Sequence, residues 1–309
     1  MRRSQDYRDR VNRVLDHIAG HLDADLSLAK LSRVGCFSPF HFHRIFQGVT
    51  GETLNNHVRR VRLERAALLL RTAPSRRITD VAIETGFAGA SEFSRAFKAH
   101  FGRTASSWDR RSPLEKSKIS QAPAERPFHT EEDLRQWKAA KRIRVKVHRS
   151  GEFRYVYQRI FAPYSSTGLL DCYHALRGWL AERATDVRRV VFTGMSLDDP
   201  SITPAEMCRY DLGVGFPRTL PAAALPGRAE CERRGFSVRE FEPLDMVSLH
   251  CAGDIGDVDR AWHYLYRLWL PASGYEPANL PAMEMFLKLP EEIGWTTFDL
   301  NLCIPVVRL

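Results

Sequence analysis

The sequence contains no run of 18 apolar residues, no CxxC pair and, beyond its first third, no net charge. The first absence removes a membrane-spanning helix. Cys36, Cys172, Cys208, Cys231, Cys251 and Cys303 stand singly, which is the usage of reduced thiols rather than of a disulfide framework or a thiolate zinc site. No apolar stretch follows the charged start MRRSQDYRDR, so no signal peptide is expected and the chain reads as cytoplasmic, without a membrane partner. G-x-S-x-G and H-E-x-x-H are missing as well, and with them two local signatures of hydrolytic enzymes.

What is present is unevenly placed. Up to Ser112 the chain holds 20 Lys and Arg against 11 Asp and Glu, whereas from Pro113 onward the two classes are equal at 26, so the whole formal excess of +9 lies in the first third. With 309 residues there is length for two or three domains. A basic module joined to a neutral one predicts a polyanion partner for the first and a different kind of ligand for the second.

The basic third contains an internal repeat. Setting GCFSPFHFHRIFQGVTG (Gly35 to Gly51) over GFAGASEFSRAFKAHFG (Gly86 to Gly102) brings Phe42, Arg44, Phe46 and Gly51 onto Phe93, Arg95, Phe97 and Gly102, a shift of 51. Upstream, Leu28, Leu31 and Ser32 match Ile78, Val81 and Ala82 with a shift of 50, so the second turn is longer by one residue. Each copy reads as helix, turn, helix, at about 29–50 and 77–100: the apolar spacing is helical, Gly35 and Gly86 end the first helices, and Ser38-Pro39 offers an N-cap with proline at the first helical position. A helix from about Glu52 to Arg71 joins the copies, its stripe Val58, Val61, Ala66 and Leu70 turned inward while Arg59, Arg60, Arg62 and Arg65 occupy the rest. Another amphipathic helix, about Tyr7 to Leu22, precedes them.

On the second helix of each copy the apolar positions Phe42, Ile45 and Phe46, then Phe93, Ala96 and Phe97, must face inward. The opposite face then carries Phe40, His43, Arg44 and Gln47 in the first copy and Ser91, Ser94, Arg95 and Lys98 in the second. That composition suits base edges and phosphates in a major groove, where an arginine gripping guanine with two bonds contributes roughly 1–3 kcal/mol of discrimination. Two such helices about 34 Å apart would read adjacent major grooves. His41-x-His43 has the look of a metal motif, but helical positions i and i+2 point about 200° apart and cannot share one ion. No metal or cofactor is expected.

These residues resemble the paired helix-turn-helix domain of AraC/XylS-type transcription regulators. VTGETLNNHVRRVRLERAALLLR is similar to that family's linker-helix segment and ITDVAIETGFAGASEFSRAFKAHFG to its second motif. The resemblance covers about Tyr7 to Ser112 and implies an all-α DNA-binding domain over 1–112 with promoter DNA as its partner and contacts with RNA polymerase open to it. It implies that Phe40, His43 and Arg44 meet bases in the first motif, and Ala90, Ser91 and Arg95 in the second. Ala90 and Ser91 are shorter than the amides often found there, which leaves the second helix to Arg95 and phosphate contacts.

From 113 to 140 the chain is polar, with prolines at 113, 123 and 127, and reads as a linker with one short helix near Glu131 to Lys138. Beyond it strand and helix signals alternate. RIRVKVH, FRYVYQRIFA, the helix LLDCYHALRGWLAERA, VVFTGMSL and CRYDLGVGFP are followed by FSVREFE, DMVSLHCAG, the helix DVDRAWHYLYRLWLPASG, AMEMFLKL and TTFDLNLCIPV. Two β-β-α-β-β units, each too thin to close a core, should pack into one α+β domain over 141–309 with both helices on one side of the sheet.

This part resembles the GyrI-like effector-binding domain that some AraC-type and MerR-type multidrug regulators carry, through ITPAEMCRYDLGVGFP, LYRLWLPASGYEP and PAMEMFLKLP. The resemblance places the family's ligand-contacting glutamate at Glu284. Chemistry agrees: a carboxylate within the apolar AMEMF needs a partner, and a hydrophobic cation supplies one, with aromatic faces adding attraction. Candidate aromatics are Tyr157, Tyr210, Trp262, Trp295 and Phe298, with Tyr264 and Trp269 further off. Glu284 pairing with an arginine such as Arg209, or pointing outward from an edge strand, is the competing account. At this point the chain is expected to be a DNA-binding regulator with a small hydrophobic or cationic effector and no catalytic residue. A hydrolase acting through the same glutamate, as some members of that superfamily are, and a domain that binds a protein instead stay open.

Overall fold

The repeat folds twice into the same pair of helices. The computed structural model describes residues 2–73, 75–108, 129–164, 167–200 and 203–309. They form two compact units, Met1–Glu125 with Asp199–Met207, and Arg126–Asp198 with Cys208–Leu309. The first unit contains α1 (Arg2–Gly20), α2 (Leu28–Val34), α3 (Pro39–Thr50), α4 (Leu54–Thr72), α5 (Ile78–Glu84) and α6 (Ala90–Phe101).

The turn inside each motif corrects the alignment of the two copies by one residue. The Phe37 amide donates to the Ser32 carbonyl at 2.8 Å and the Phe87 amide to the Ala82 carbonyl at 3.0 Å. This reach over five residues needs a left-handed residue just before the donor. That residue is Cys36 (φ 54°) in the first motif and Gly86 (φ 83°) in the second. Cys36, not Gly35, is therefore the counterpart of Gly86, and the extra residue of the second copy falls after Phe87, ahead of α6. Gly86 also has no room for a side chain, since a Cβ there would lie 2.1 Å from the Leu22 carbonyl oxygen. Both second helices end alike, on left-handed Gly51 (φ 78°) and Gly102 (φ 71°). Ser38 sits at the N-cap of α3, but its hydroxyl caps nothing, and the start rests on Pro39 in the first turn.

α4 departs most from its expected stripe. Arg60, placed by periodicity among the solvated arginines, is buried. Its guanidinium meets Glu52 at 2.6 Å and Glu64 at 3.0 Å, while Glu52 also holds the Nδ1 of buried His57 at 2.7 Å. Burial by itself would raise the Glu52 carboxyl; hydrogen bonds from His57 and Arg60 more than offset it and hold the group at about 2. Arg62 turns its guanidinium onto the Leu22 and Ala24 carbonyls (2.8 and 3.1 Å) and ties the α1–α2 turn to α4. A helix joining two motifs is covered on most sides, so its charges are absorbed as pairs and carbonyl ligands.

The second unit begins with α7 (Glu131–Ala140), whose start is closed by a reciprocal pair of bonds between Thr130 and Asp133. Residues 113–128 of the expected linker lie outside the described residues. α7 itself is a packed element: Leu134 is fully buried, and the Trp137 indole and the Lys141 ammonium both reach Asp257, at 2.8 and 2.9 Å. Then follow β1 (Val145–Arg149), β2 (Phe153–Phe161), α8 (Gly168–Glu182), β3 (Val191–Ser196), β4 (Arg209–Pro217), α9 (Arg228–Arg233), β5 (Ser237–Phe241), β6 (Asp245–Gly253), α10 (Ile255–Tyr264), α11 (Leu270–Ser273), β7 (Tyr275–Pro277), β8 (Ala282–Phe286), α12 (Pro290–Ile293) and β9 (Phe298–Arg308). A π-helical turn, Leu265–Trp269, joins α10 to α11. Pro271 lies just beyond it, and a widened turn relieves the clash of a proline ring with the carbonyl four residues back.

The two β-β-α-β-β repeats exchange their first strands. The sheet order is β1-β6-β9-β8-β3-β4-β2-β5, with β7 added on β9, and every pairing is antiparallel. Thus β1 edges the second repeat, β5 edges the first, and β3 with β8 forms the seam. Cross-strand partners share a face, so the registers can be followed across the sheet. Val156 opposes Val214, Val214 opposes Phe192, Gly194 opposes Glu284, Glu284 opposes Leu302, and Leu302 opposes Leu249. Val156, Val214 and Phe192 pack with α8 residues, and Leu302 and Leu249 with α10 residues. Both long helices therefore cover one face, as expected, and Glu284 lies on that face at the seam. Tyr155, Tyr157, Met195, Phe241 and Met283 make a separate cluster on the other.

Candidate functional site

In the first unit the core sets what is left outside. Phe42 and Phe46 on α3, and Phe93 and Phe97 on α6, are fully buried. Phe97 packs on Phe101 and Trp108 with ring centroids 4.6 Å and 5.2 Å away. Each such ring contributes about 1.5–3 kcal/mol by its burial, so neither helix can rotate about its axis. Phe40, His43, Arg44 and Gln47 are consequently exposed on α3, and Ala90, Ser91, Ser94, Arg95 and Lys98 on α6. Phe40 is 89% exposed, so its ring adds nothing to the core and is free for a partner. His41 and His43 are both exposed and join no cluster of three metal-ligating side chains among the described residues.

The second site is built around Glu284 in β8. Its Oε2 accepts from the Tyr210 hydroxyl at 2.5 Å and its Oε1 from the Trp262 indole N–H at 3.1 Å. Tyr210 comes from β4 and crosses β3 at Gly194, where a Cβ would lie 1.7 Å from the tyrosine oxygen. Trp262 comes from α10 and stacks on Tyr266 at 5.9 Å. Burial, and then the neighbouring Glu284 carboxylate, push the Tyr210 hydroxyl well above the usual phenol range, so it stays a donor. Arg209 is spoken for by Asp198, at 2.6 and 2.8 Å, and β8 is interior to the sheet. Both competing accounts of Glu284 thus fail. Among the described residues, no cation pairs with it.

Family models match both units. Residues 31–111 match a helix-turn-helix domain and residues 145–307, more than half of the chain, match the GyrI-like small molecule binding domain. Over 101 residues the chain is 33% identical to the regulatory protein SoxS of Salmonella typhimurium, covering 33% of this chain and 94% of SoxS. This chain belongs to the AraC-type regulators and carries a GyrI-like domain. The AraC-type third is also 36% identical over 103 residues to the right origin-binding protein of Escherichia coli strain K12, covering 33% of this chain and 35% of that one, so the chain spans about a third of that relative's length. Among solved structures, the C-terminal domain of AraT, a response regulator from Geobacillus stearothermophilus, matches at 25% identity and a TM-score of 0.32 over 40% of this chain and 95% of that one.

Within the GyrI-like domain the structure brings Tyr210 and Trp262 to Glu284 and leaves the other candidates elsewhere. Tyr157 lies on the opposite sheet face, stacked on Tyr155 at 5.1 Å, because β2 alternates and its even positions take the helix side. Trp295 is 54% exposed and packs against Tyr173 and His174 beside α8. Phe298 is on the helix-bearing face, four residues along β9 from Leu302, the residue opposite Glu284, and packs in the same α10 cluster as Trp262, as do Tyr264 and Trp269, without a hydrogen bond to the carboxylate. Gly194 and Tyr266 were missed. A glycine inside the strand VFTGMS signals close approach of another group, and that cue was present in the sequence. Tyr266 carried no signal of its own.

Proposed function

We propose that this chain is a ligand-responsive transcription regulator, in which α3 and α6 read DNA and the GyrI-like domain binds a small hydrophobic cation at Glu284. One observation carries the effector reading. A half-buried carboxylate at the seam of the sheet is held by two neutral donors and, among the described residues, by no cation, while aromatic rings flank it. A lipophilic cation supplies the missing charge and stacks on Trp262. The DNA reading is supported by nine exposed side chains on two helices whose rotation is locked by phenylalanines, in the unit that holds the positive excess. A protein of this function works in the cytoplasm, where promoter DNA and RNA polymerase are its partners, and it has no catalytic residue.

DNA fragments selected by the whole chain from genomic DNA test the first half. Arg44→Ala and Arg95→Ala should each weaken specific binding by about 5- to 150-fold, the equivalent of 1–3 kcal/mol, with a salt slope that falls by about 1 for each phosphate no longer neutralised. Unchanged affinity and sequence preference in both variants would remove the recognition helices from DNA. Thermal-shift titration with lipophilic cations tests the second half. Stabilisation of wild type but not of Glu284→Gln is expected, and equal shifts in the two would take the effector away from Glu284. Turnover of a bound compound would make the domain an enzyme.

A further inference from the structure

We propose that His129, Asp259 and His263 form a binding site for one divalent transition-metal ion of the zinc class, separate from the Glu284 site. Each of the three offers one donor atom, and the three atoms lie within 4.8 Å of one another. The Nε2 of His129 is 3.2 Å from the Asp259 Oδ2, and the Nδ1 of His263 is 3.6 Å from that same oxygen. Donors bound tetrahedrally at about 2.0–2.1 Å stand roughly 3.3–3.4 Å apart. Two edges of the trio are therefore close to metal-site dimensions, and the third closes with a small rotation of the imidazoles.

The elements hold the donors in place. Asp259 and His263 are four residues apart on α10 and share one of its faces. His129 precedes the N-cap of α7, is 5% exposed, and is fixed at its backbone because Arg267 Nη1 donates to its carbonyl at 2.7 Å. The two imidazole rings approach to 5.5 Å between centroids. Two imidazole nitrogens with one carboxylate oxygen suit zinc, cobalt or nickel, whereas calcium and magnesium take oxygen donors almost alone. Three protein ligands leave a position for water or a further donor. An ion here would clip the start of α7 to α10, the helix that carries Trp262.

The test uses the whole chain freed of metal by chelation, titrated with Zn²⁺ by calorimetry and with Co²⁺ by its visible ligand-field absorption. One ion per chain is expected, with the absorption of a nitrogen- and oxygen-ligated Co²⁺ of low coordination number. His263→Gln and Asp259→Asn should each weaken binding more than tenfold, while His250→Gln, which removes the exposed His250 beside Asp299, should not change it. Circular dichroism and thermal midpoints measured without metal separate a lost ligand from a lost fold, and His129→Gln, at the edge of α7, gives a second variant. No binding, binding that survives the double change His129→Gln with His263→Gln, or binding lost equally in His250→Gln would overturn the site and leave the trio a hydrogen-bonded ion pair.

Discussion

Arg60→Met asks whether α4 is held by its buried ion network. The substitution keeps the alkyl length and removes the cation between Glu52 and Glu64, whose side chains are 9% and 10% exposed. Removing one partner of a buried pair costs about 3–5 kcal/mol, because the other charge is left without compensation. Linkage bounds what His57 and Arg60 together contribute through Glu52. Glu52 sits at about 2 in the native state against an ordinary 4.5, so its interactions stabilise the folded form above pH 4.5 by about 3 kcal/mol, and that contribution is lost as pH falls towards 2. Arg60→Met should therefore lose about 3–5 kcal/mol at pH 7, and the deficit should shrink as pH falls through 4.5 towards 2, where the stranded carboxyls are protonated and the wild-type contribution of Glu52 is lost. Hydrogen exchange read by mass spectrometry on the whole chain reports α4 separately from the GyrI-like domain. A variant within about 1 kcal/mol of wild type at pH 7, or one whose deficit does not change with pH, would refute the account. Glu52→Gln added to Arg60→Met should recover part of the loss by removing one of the stranded charges.

Other expectations follow from the same geometry. Gly86→Ala should cost more than the roughly 1 kcal/mol of an ordinary glycine replacement, since it combines a left-handed φ with a Cβ driven into a carbonyl, whereas Cys36→Gly at the equivalent turn should be neutral to stabilising by up to about 1 kcal/mol; urea unfolding of the two variants compares them. Burial, helped by Arg60 and Arg59, lowers His100 to about 4 from 6.5. Below pH 6.5 the unfolded chain accepts a proton the native one refuses, so the AraC-type unit should lose up to about 3 kcal/mol between pH 6.5 and 4, a loss that His100→Gln removes from the pH–stability profile. Gly194→Ala should push the Tyr210 ring off Glu284 without breaking the β3–β8 ladder, so effector affinity should fall as it does in Tyr210→Phe; affinity equal to wild type would separate Tyr210 from binding.

The repeat, the helices and the outward residues of α3 and α6 were legible in the sequence, because helical periodicity is local and phenylalanines at fixed spacing dictate which side is inside. Glu284 was singled out by the resemblance to the GyrI-like domain, with its place as a lone charge in an apolar strand as support. Arg60 was misplaced because periodicity cannot tell a solvated arginine from one buried between two carboxylates, and Cys36 because a left-handed turn normally advertises itself with glycine.

By itself the sequence determined the kinds of elements, their order, and the sides they present, all of which depend on neighbours within a turn or two of chain. Only the tertiary structure decided the exchange of β1 and β5 between repeats, the crossing of Tyr210 over Gly194 to meet Trp262 at Glu284, and the meeting of His129 with Asp259 and His263. Those pairings join residues as far apart as His129 and Asp259, 130 positions, and His129 and His263, and pairing at that distance is selected by which faces can be buried together, a quantity no local window of the chain contains.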